Sequence, residues 1–155
     1  MAWSNSKVFT IYISDMIGNV AALDYDADTI KVPTFNNSVT PDQTVAAASS
    51  AYNTGVWTTG NEVTSSTDLP AGGLTLGSKT VTRSSGNVVV SAANAVSGSA
   101  ATGTVYGNLV YDDTLTTPVA DQGQCYNYYG GAVTVTAGTL TIAWDGTNGI
   151  MKFAA

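Results

Sequence analysis

The chain has no histidine, one cysteine and one glutamate, and charged residues make up only 10% of its 155 residues. Without histidine it lacks the usual general base of serine and cysteine catalysis and a common ligand of zinc. Cys125 has tyrosines rather than cations nearby in the sequence, so nothing activates its thiol. A single cysteine also excludes an intrachain disulfide. We predict that Cys125 is a small buried residue in a strand.

Basic residues are also scarce, with five Lys and Arg against eleven Asp and Glu and a net charge of −6. Nucleic-acid binding requires several clustered cations to neutralise phosphates and release counterions. We therefore expect no nucleic-acid partner. The five cations are scattered: Lys7, Lys31, Lys79, Arg83 and Lys152.

Long apolar runs are missing too, and none approaches the roughly 20 residues that span a bilayer. The N-terminal residues 1–7 have no basic start followed by an apolar stretch, so we expect no secretion signal and no membrane partner. The sequence instead predicts a protein made in the cytoplasm that joins any assembly as a folded unit.

Thr, Ser, Ala, Gly, Val and Asn dominate what is present, and this composition favours strands and turns over long helices. The length suits one domain, residues 1–155. We predict a mainly-β fold, a β-sandwich or a barrel-like meander, with one or two short helices. Residues 24–155 would form the β-rich body, and residues 1–20 a docking arm or a short helix.

Two segments show helix signals. Apolar residues from Val8 to Ile17 recur with a helical rhythm, which favours a short helix, although the β-formers in this segment leave a strand open. A second helix is predicted over 41–53. Its cap would be Thr40, its first position Pro41, and Gln43 would complete the capping box.

Apolar and polar residues alternate from residue 62 onward, as in strands. Strands are predicted at 29–35, 62–65, 74–83, 87–91, 105–111, 124–129, 132–136, 139–144 and 150–153. Turns are predicted at 69–73, 84–87, 136–138 and 145–149, and exposed loops at 91–103 and 112–123. Pro33 cannot donate to a ladder, so its strand should lie at an edge or end there. Trp144 and Phe153 flank the last turn and could meet across it.

Asp24, Asp26 and Asp28 match the first three ligand positions of a calcium loop. Thr29 and Phe35 then stand where the motif needs glycine and glutamate, so we interpret the segment as a solvated acidic turn. The three Trp and eight Tyr could offer a sugar-binding face, but the favoured interpretation is that they fill the core or a subunit interface. Glu62 has no evident carboxylate partner, and Asp112 and Asp113 lie in a predicted turn. No catalytic, cofactor-binding or metal-binding residues are therefore assigned.

Several short motifs occur in an order that resembles a family of small virion proteins of tailed bacteriophages. Each motif alone is weak, and their order over residues 24 to 155 carries the resemblance. The β-rich N-terminal segment departs from the helix typical of that family. The motifs are Asp28–Val32, Pro70–Gly73, Leu76–Thr82, Val110–Asp113, Thr117–Pro118, Gly138–Asp145 and Ile150–Phe153.

The resemblance implies a non-enzymatic structural role, with decoration of the outer head surface as the first expectation. The partners would be the major capsid protein and copies of the chain itself, without cofactors, on a virion assembled in the host cytoplasm. Three alternatives remain: a tail tube or baseplate component, a fibre-associated module that binds a receptor or glycan, and an enzyme.

Overall fold

The computed structural model describes residues 3–154, apart from the side chain of Ser84. Within that range the chain forms two short helices and three antiparallel sheets, so the predicted mainly-β class is confirmed. The helices are α1 (Thr10–Ile17) and α2 (Ala47–Ser50). The strands are β1 (Lys7–Val8), β2 (Ile30–Val32), β3 (Thr34–Phe35), β4 (Leu74–Thr75), β5 (Thr80–Ser84), β6 (Asn87–Ser91), β7 (Ala95–Val96), β8 (Ala101–Asp112), β9 (Gly123–Gly138), β10 (Thr141–Ile142) and β11 (Met151–Ala154).

The long antiparallel pair β8 and β9 forms the centre of the largest sheet, ordered β1–β9–β8–β2–β4, with β3 also paired to β8. Two strands predicted separately, 124–129 and 132–136, belong to this one strand β9. Pairing with β8 resumes beyond Gly130 and Gly131, which is a cross-strand effect that local sequence does not reveal. The turn predicted at 136–138 is wrong, because Gly138 still pairs with Ala101.

Pro33 interrupts the strand predicted at 29–35, as expected for a residue without an N–H. Both halves, β2 and β3, pair with β8, but β2 lies between β8 and β4 rather than at a sheet edge. The predicted turn 69–73 passes directly over this point. A Cβ atom at Gly73 would lie 2.1 Å from the nitrogen of Pro33, and the residue has φ +86°, so glycine is required there.

The helix predicted at 41–53 is wrong over most of its length, since only Ala47–Ser50 is helical. Asp42 accepts hydrogen bonds from the backbone N–H and the hydroxyl of Thr44, at 2.8 and 2.7 Å, and so forms a local turn. The carbonyl of Gln43 accepts from the N–H of Thr10 at 3.0 Å. Tertiary and side-chain bonds thus replace the first helical turn.

The strand predicted at 74–83 is divided between two sheets, because Ser78 adopts a positive φ of 49° between β4 and β5. The region 91–103, predicted as an exposed loop, contains β7, which pairs with β10. Ala95 and Ser97 are buried, so the prediction is wrong at these positions, whereas residues 93, 94, 96, 99, 100 and 102 are exposed as predicted.

Two further predicted turns are present besides the one at 69–73. Ser85 and Gly86 have φ values of 48° and 79° and join β5 to β6 as a two-residue hairpin. Asp145 accepts hydrogen bonds from the N–H groups of Thr147 and Asn148 at 2.9 and 2.7 Å, closing the turn at 145–149. The strands on either side of this second turn, β10 and β11, belong to different sheets, so it does not form a hairpin.

An aromatic cluster forms the centre of the core. Trp57 lies 5.7 Å from Trp3, 6.1 Å from Phe9 and 5.2 Å from Phe35, measured between ring centroids. All four side chains are at most 1% exposed. Trp3 and Phe9 therefore fix residues 3–17 to the β-rich body. The segment begins with the strand β1, and the helix alternative is observed from Thr10 to Ile17.

Candidate interaction surface

Helix α1 is held in place at both ends by contacts outside its own turns. Thr10 donates its N–H and its hydroxyl to the carbonyl of Gln43, at 3.0 and 3.1 Å. Asp15 is buried, and its carboxylate accepts a hydrogen bond from the side-chain amide of Gln122 at 2.7 Å. Because Asp15 faces inward, the next residues, Met16 and Ile17, are 37% and 78% exposed.

The sheet β5–β6–β11 presents an apolar face towards α1. Val81 pairs with Val90, and Val88 pairs with Phe153. Directly opposed residues, and residues two apart in one strand, lie on the same face of a sheet. These four side chains therefore form one apolar wall, in which Val81 at the outer strand is 48% exposed.

A groove of about 480 Å³ separates this wall from α1. Its volume lies within the range of pockets that bind small molecules or side chains, and its lining is almost wholly apolar. Exposed apolar residues that cluster in this way mark interaction surfaces in soluble proteins. The residues that line the groove are Tyr12, Ile13, Met16, Ile17, Leu23, Tyr25, Val81, Val88, Val90 and Phe153.

Tyr25 adds a polar group to this lining. Its hydroxyl is buried and has no hydrogen-bond partner among the described residues. Burial is the main cause that raises the pKa of Tyr25 above its usual value, and the hydroxyl is therefore neutral and able to donate. A buried hydroxyl without a partner is destabilising by about 1–3 kcal/mol.

Next to the groove lies a second, polar concavity of about 540 Å³ at the tip of the β5–β6 hairpin. Val88 lines both parts, and Arg83 lines the polar part together with Ser85, Gly86 and Asn87. Arg83 forms no salt bridge with any residue in the described part of the chain, whereas Lys31 pairs with Asp113 at 2.8 Å. The surface thus has an apolar section and, at its end, a cation that has no ion-pair partner among the described residues.

The calcium-like motif forms a local turn. The N–H of Asp24 donates to the carboxylate of Asp28 at 2.8 Å, and the N–H of Ala27 donates to Asp24 at 3.2 Å. This geometry fits the interpretation as an acidic turn. Residues 3–154 contain no group of three His, Cys, Asp or Glu side chains arranged to hold a metal ion.

One carboxyl contact was not predicted from the sequence. Ile30 of β2 pairs with Asp112 of β8, which brings the side chain of Asp28 against that of Asp112. One carboxylate oxygen of Asp112 accepts from the N–H groups of Thr114 and Leu115 at 2.9 and 3.1 Å, and the other is buried without a described partner. Burial first, and then the negative charge of Asp28, raise the pKa of Asp112 to about 6, against the lowering effect of the two N–H groups.

The remaining chemically notable side chains are engaged in the fold. Burial raises the pKa of the Cys125 thiol to about 12, and the thiol lies inside the largest sheet. Glu62 is buried and accepts hydrogen bonds from the hydroxyl of Tyr52 at 2.7 Å and the N–H of Gly72 at 2.9 Å. Burial, the largest effect, raises the pKa of Glu62 in spite of these two bonds.

The aromatic residues considered as a sugar-binding face are divided between different environments. Tyr126 is 3% exposed in the core, and Tyr128 stacks on Trp3 with ring centroids 6.4 Å apart. Tyr129 accepts a hydrogen bond from the side-chain amide of Asn108 at 2.8 Å. Trp144 donates its indole N–H to the carbonyl of Ala93 at 3.1 Å. These contacts agree with the core interpretation of the tyrosines.

The chain matches no known family model, no curated protein and no solved structure. None of the helices within residues 3–154 is long and apolar enough to cross a lipid bilayer.

Proposed function

We propose that this chain is a non-enzymatic structural protein of a tailed-bacteriophage particle, which decorates the outer surface of the head and stabilises the shell by binding. The phage assignment is supported by the ordered motifs between residues 28 and 153. The binding role is supported by the geometry of the surface between α1 and the β5–β6–β11 sheet.

The groove between α1 and β5 is the observation that carries the binding role. Ile17 and Val81 are 78% and 48% exposed on its two sides. Removal of apolar area from water contributes about 25 cal/mol per Å², so a partner that covers these side chains gains free energy without any catalytic group. Met16 and Phe153 would extend the same contact.

Such a protein acts by mass action. A subunit that binds the assembled shell more tightly than its separated parts stabilises the shell by an amount that grows with its concentration. The partners in this proposal are the major capsid protein and further copies of the chain. The net charge of −6 fits a site on the outside of the head, away from packaged DNA.

Four acidic or nucleophilic groups are buried, among them Asp112 at 1% exposed, and this burial fits binding better than turnover. Asp15 and Glu62 are buried and hydrogen-bonded to Gln122 and Tyr52, and the Cys125 thiol is enclosed by the sheet. A nucleophile or general acid must instead lie within reach of a substrate.

Separation of purified particles into heads and tails tests the proposal. We expect mass spectrometry to find the chain with heads in many copies. Heads assembled without it should release DNA at a lower temperature, and added protein should restore the original temperature. Recovery with tails instead would favour the tail or fibre alternative, in which case adsorption to cells and a glycan array would be measured next.

A further inference from the structure

Strand β5 has an open edge directly beside the groove. The three-stranded sheet has the order β11–β6–β5, so one side of β5 pairs with β6 and the other pairs with no described strand. Residues 80–83 are all exposed. Among the described backbone hydrogen bonds, none joins Val81 or Arg83 to a residue outside the hairpin.

The hairpin geometry fixes which backbone groups point outward. In a two-residue hairpin the residues next to the turn, here Ser84 and Asn87, form a hydrogen-bonded pair. Such pairs alternate along an antiparallel ladder, so Thr82 bonds inward to Val89, and the N–H and C=O groups of Val81 and Arg83 point to the open edge.

The side chains of Val81 and Arg83 lie on the groove face of the sheet, because they pair with Val90 and Val88. A residue added opposite Val81 would project over the apolar section, where the Tyr25 hydroxyl lacks a described partner. A residue added opposite Arg83 would meet a cation that has no described salt bridge.

We propose that β5 binds an extended segment of a partner protein as an added antiparallel strand, with an acidic residue opposite Arg83 and an apolar residue opposite Val81. The segment therefore has the pattern acidic–any–apolar, and its backbone pairs with β5. This mode of recognition uses main-chain hydrogen bonds for affinity and alternate side chains for specificity. The identity of the partner as a virion protein rests on the proposed function, whereas the chemistry at β5 does not.

A random 12-residue peptide library, selected against the purified chain, is the probe. We expect enriched peptides to share the acidic–any–apolar pattern, and their affinity is then measured by fluorescence anisotropy. Methylation of a peptide nitrogen that faces β5 should weaken binding at least tenfold. Methylation of the next nitrogen, which faces away, is the matched control and should be tolerated.

Two variants locate the peptide on β5. Val81→Pro removes an outward N–H without removing a bond to β6, and should weaken binding at least tenfold, with circular dichroism checking the fold. Arg83→Glu, at an exposed position, should weaken acidic peptides and favour peptides that carry Lys instead. The inference would be overturned if no peptide were enriched, or if both variants bound the peptides as tightly as the wild-type chain does.

The two proposals can fail separately. If peptides bind at β5 but the chain is missing from purified particles, strand addition stands and the virion role is wrong. A chain found in many copies on heads, with binding indifferent to Val81→Pro and Arg83→Glu, would give the reverse result.

Discussion

Trp3 packs against Gly107 so closely that a Cβ atom at residue 107 would lie 2.6 Å from the indole ring. The same Cβ would lie 2.4 Å from the carbonyl oxygen of Asn127 on the neighbouring strand. Because both contacts are shorter than any normal carbon contact, glycine is required at this point of β8. The contact joins the N-terminal segment to the central strand pair.

Gly107→Ala is accordingly expected to destabilise the fold by about 1–3 kcal/mol, since it overpacks a buried site. Gly131→Ala is the matched control, because that glycine lies in the partner strand β9 and no atom of the described residues lies within 4 Å of its Cβ position. Urea denaturation followed by tryptophan fluorescence measures both variants. Equal stability of the two would show that Trp3 does not pack on Gly107 as described.

The carboxyl contact between Asp28 and Asp112 leads to a prediction about pH. The pKa of Asp112 is raised to about 6, so the folded state binds a proton more tightly than the unfolded state, where the pKa is about 3.9. The contribution of protonated Asp112 to the free energy of unfolding is complete below the unfolded pKa and is lost as the pH rises through 6. Asp112→Asn should reduce this dependence and raise stability at pH 7 by about 1–2 kcal/mol, allowing for solvent screening.

The measurement is the free energy of unfolding between pH 4 and pH 7.5. The exposed Asp26, in the same acidic segment as Asp28, supplies the control variant Asp26→Asn, which should keep the wild-type profile. An Asp112→Asn variant that loses stability equally at every pH would contradict a proton-dependent contact and indicate a purely structural carboxylate.

Cys125 is expected to resist thiol reagents in the folded protein, because burial raises its pKa to about 12 and excludes the reagent. Iodoacetamide at pH 8, followed by mass spectrometry, should label it only after denaturation. Val133→Cys places a second thiol at a 37% exposed position of the same strand, β9, and should be labelled in the native state. Rapid native labelling of Cys125 itself would show that the sheet opens there.

Stability and binding should separate in the groove. Ile17→Lys changes a residue that is 78% exposed, so the free energy of unfolding should change by no more than about 0.5 kcal/mol. The same variant should reduce the fluorescence of an apolar dye such as anilinonaphthalene sulfonate, which requires exposed apolar surface. Unchanged dye fluorescence would indicate that the groove does not bind apolar groups.

Local chemistry accounts for the parts of the fold that were predicted from the sequence. Ser85 and Gly86 supply the backbone angles of a two-residue hairpin, and the β-branched run beside them gives β6 its predicted bounds. The helix at 41–53 failed because Gln43 bonds to Thr10, 33 residues away in the sequence, and Asp42 bonds to Thr44. Local capping patterns carry no information about such distant competitors.

The candidate surface depends even more on distant residues. Val81 and Phe153 come from separate parts of the chain and share one face only through the pairing of β5, β6 and β11, and Ile17 of α1 lines the opposite side of the groove. The contact between Asp28 and Asp112 likewise depends on the β2–β8 register. The helical spacing of apolar residues in α1 indicates that one side of the helix is apolar. It does not indicate that the apolar face of the β5–β6–β11 sheet lies opposite.

Occupancy on assembled heads measures whether the groove between α1 and β5 holds the chain on the shell. Heads made without the chain would be incubated with wild-type protein, with Ile17→Lys or with Val96→Lys, whose parent valine is 54% exposed and lies outside the groove. Wild type and Val96→Lys should bind in many copies, whereas Ile17→Lys should lose at least nine tenths of the bound protein. Equal occupancy by all three, or no binding of wild type to heads, would contradict this prediction.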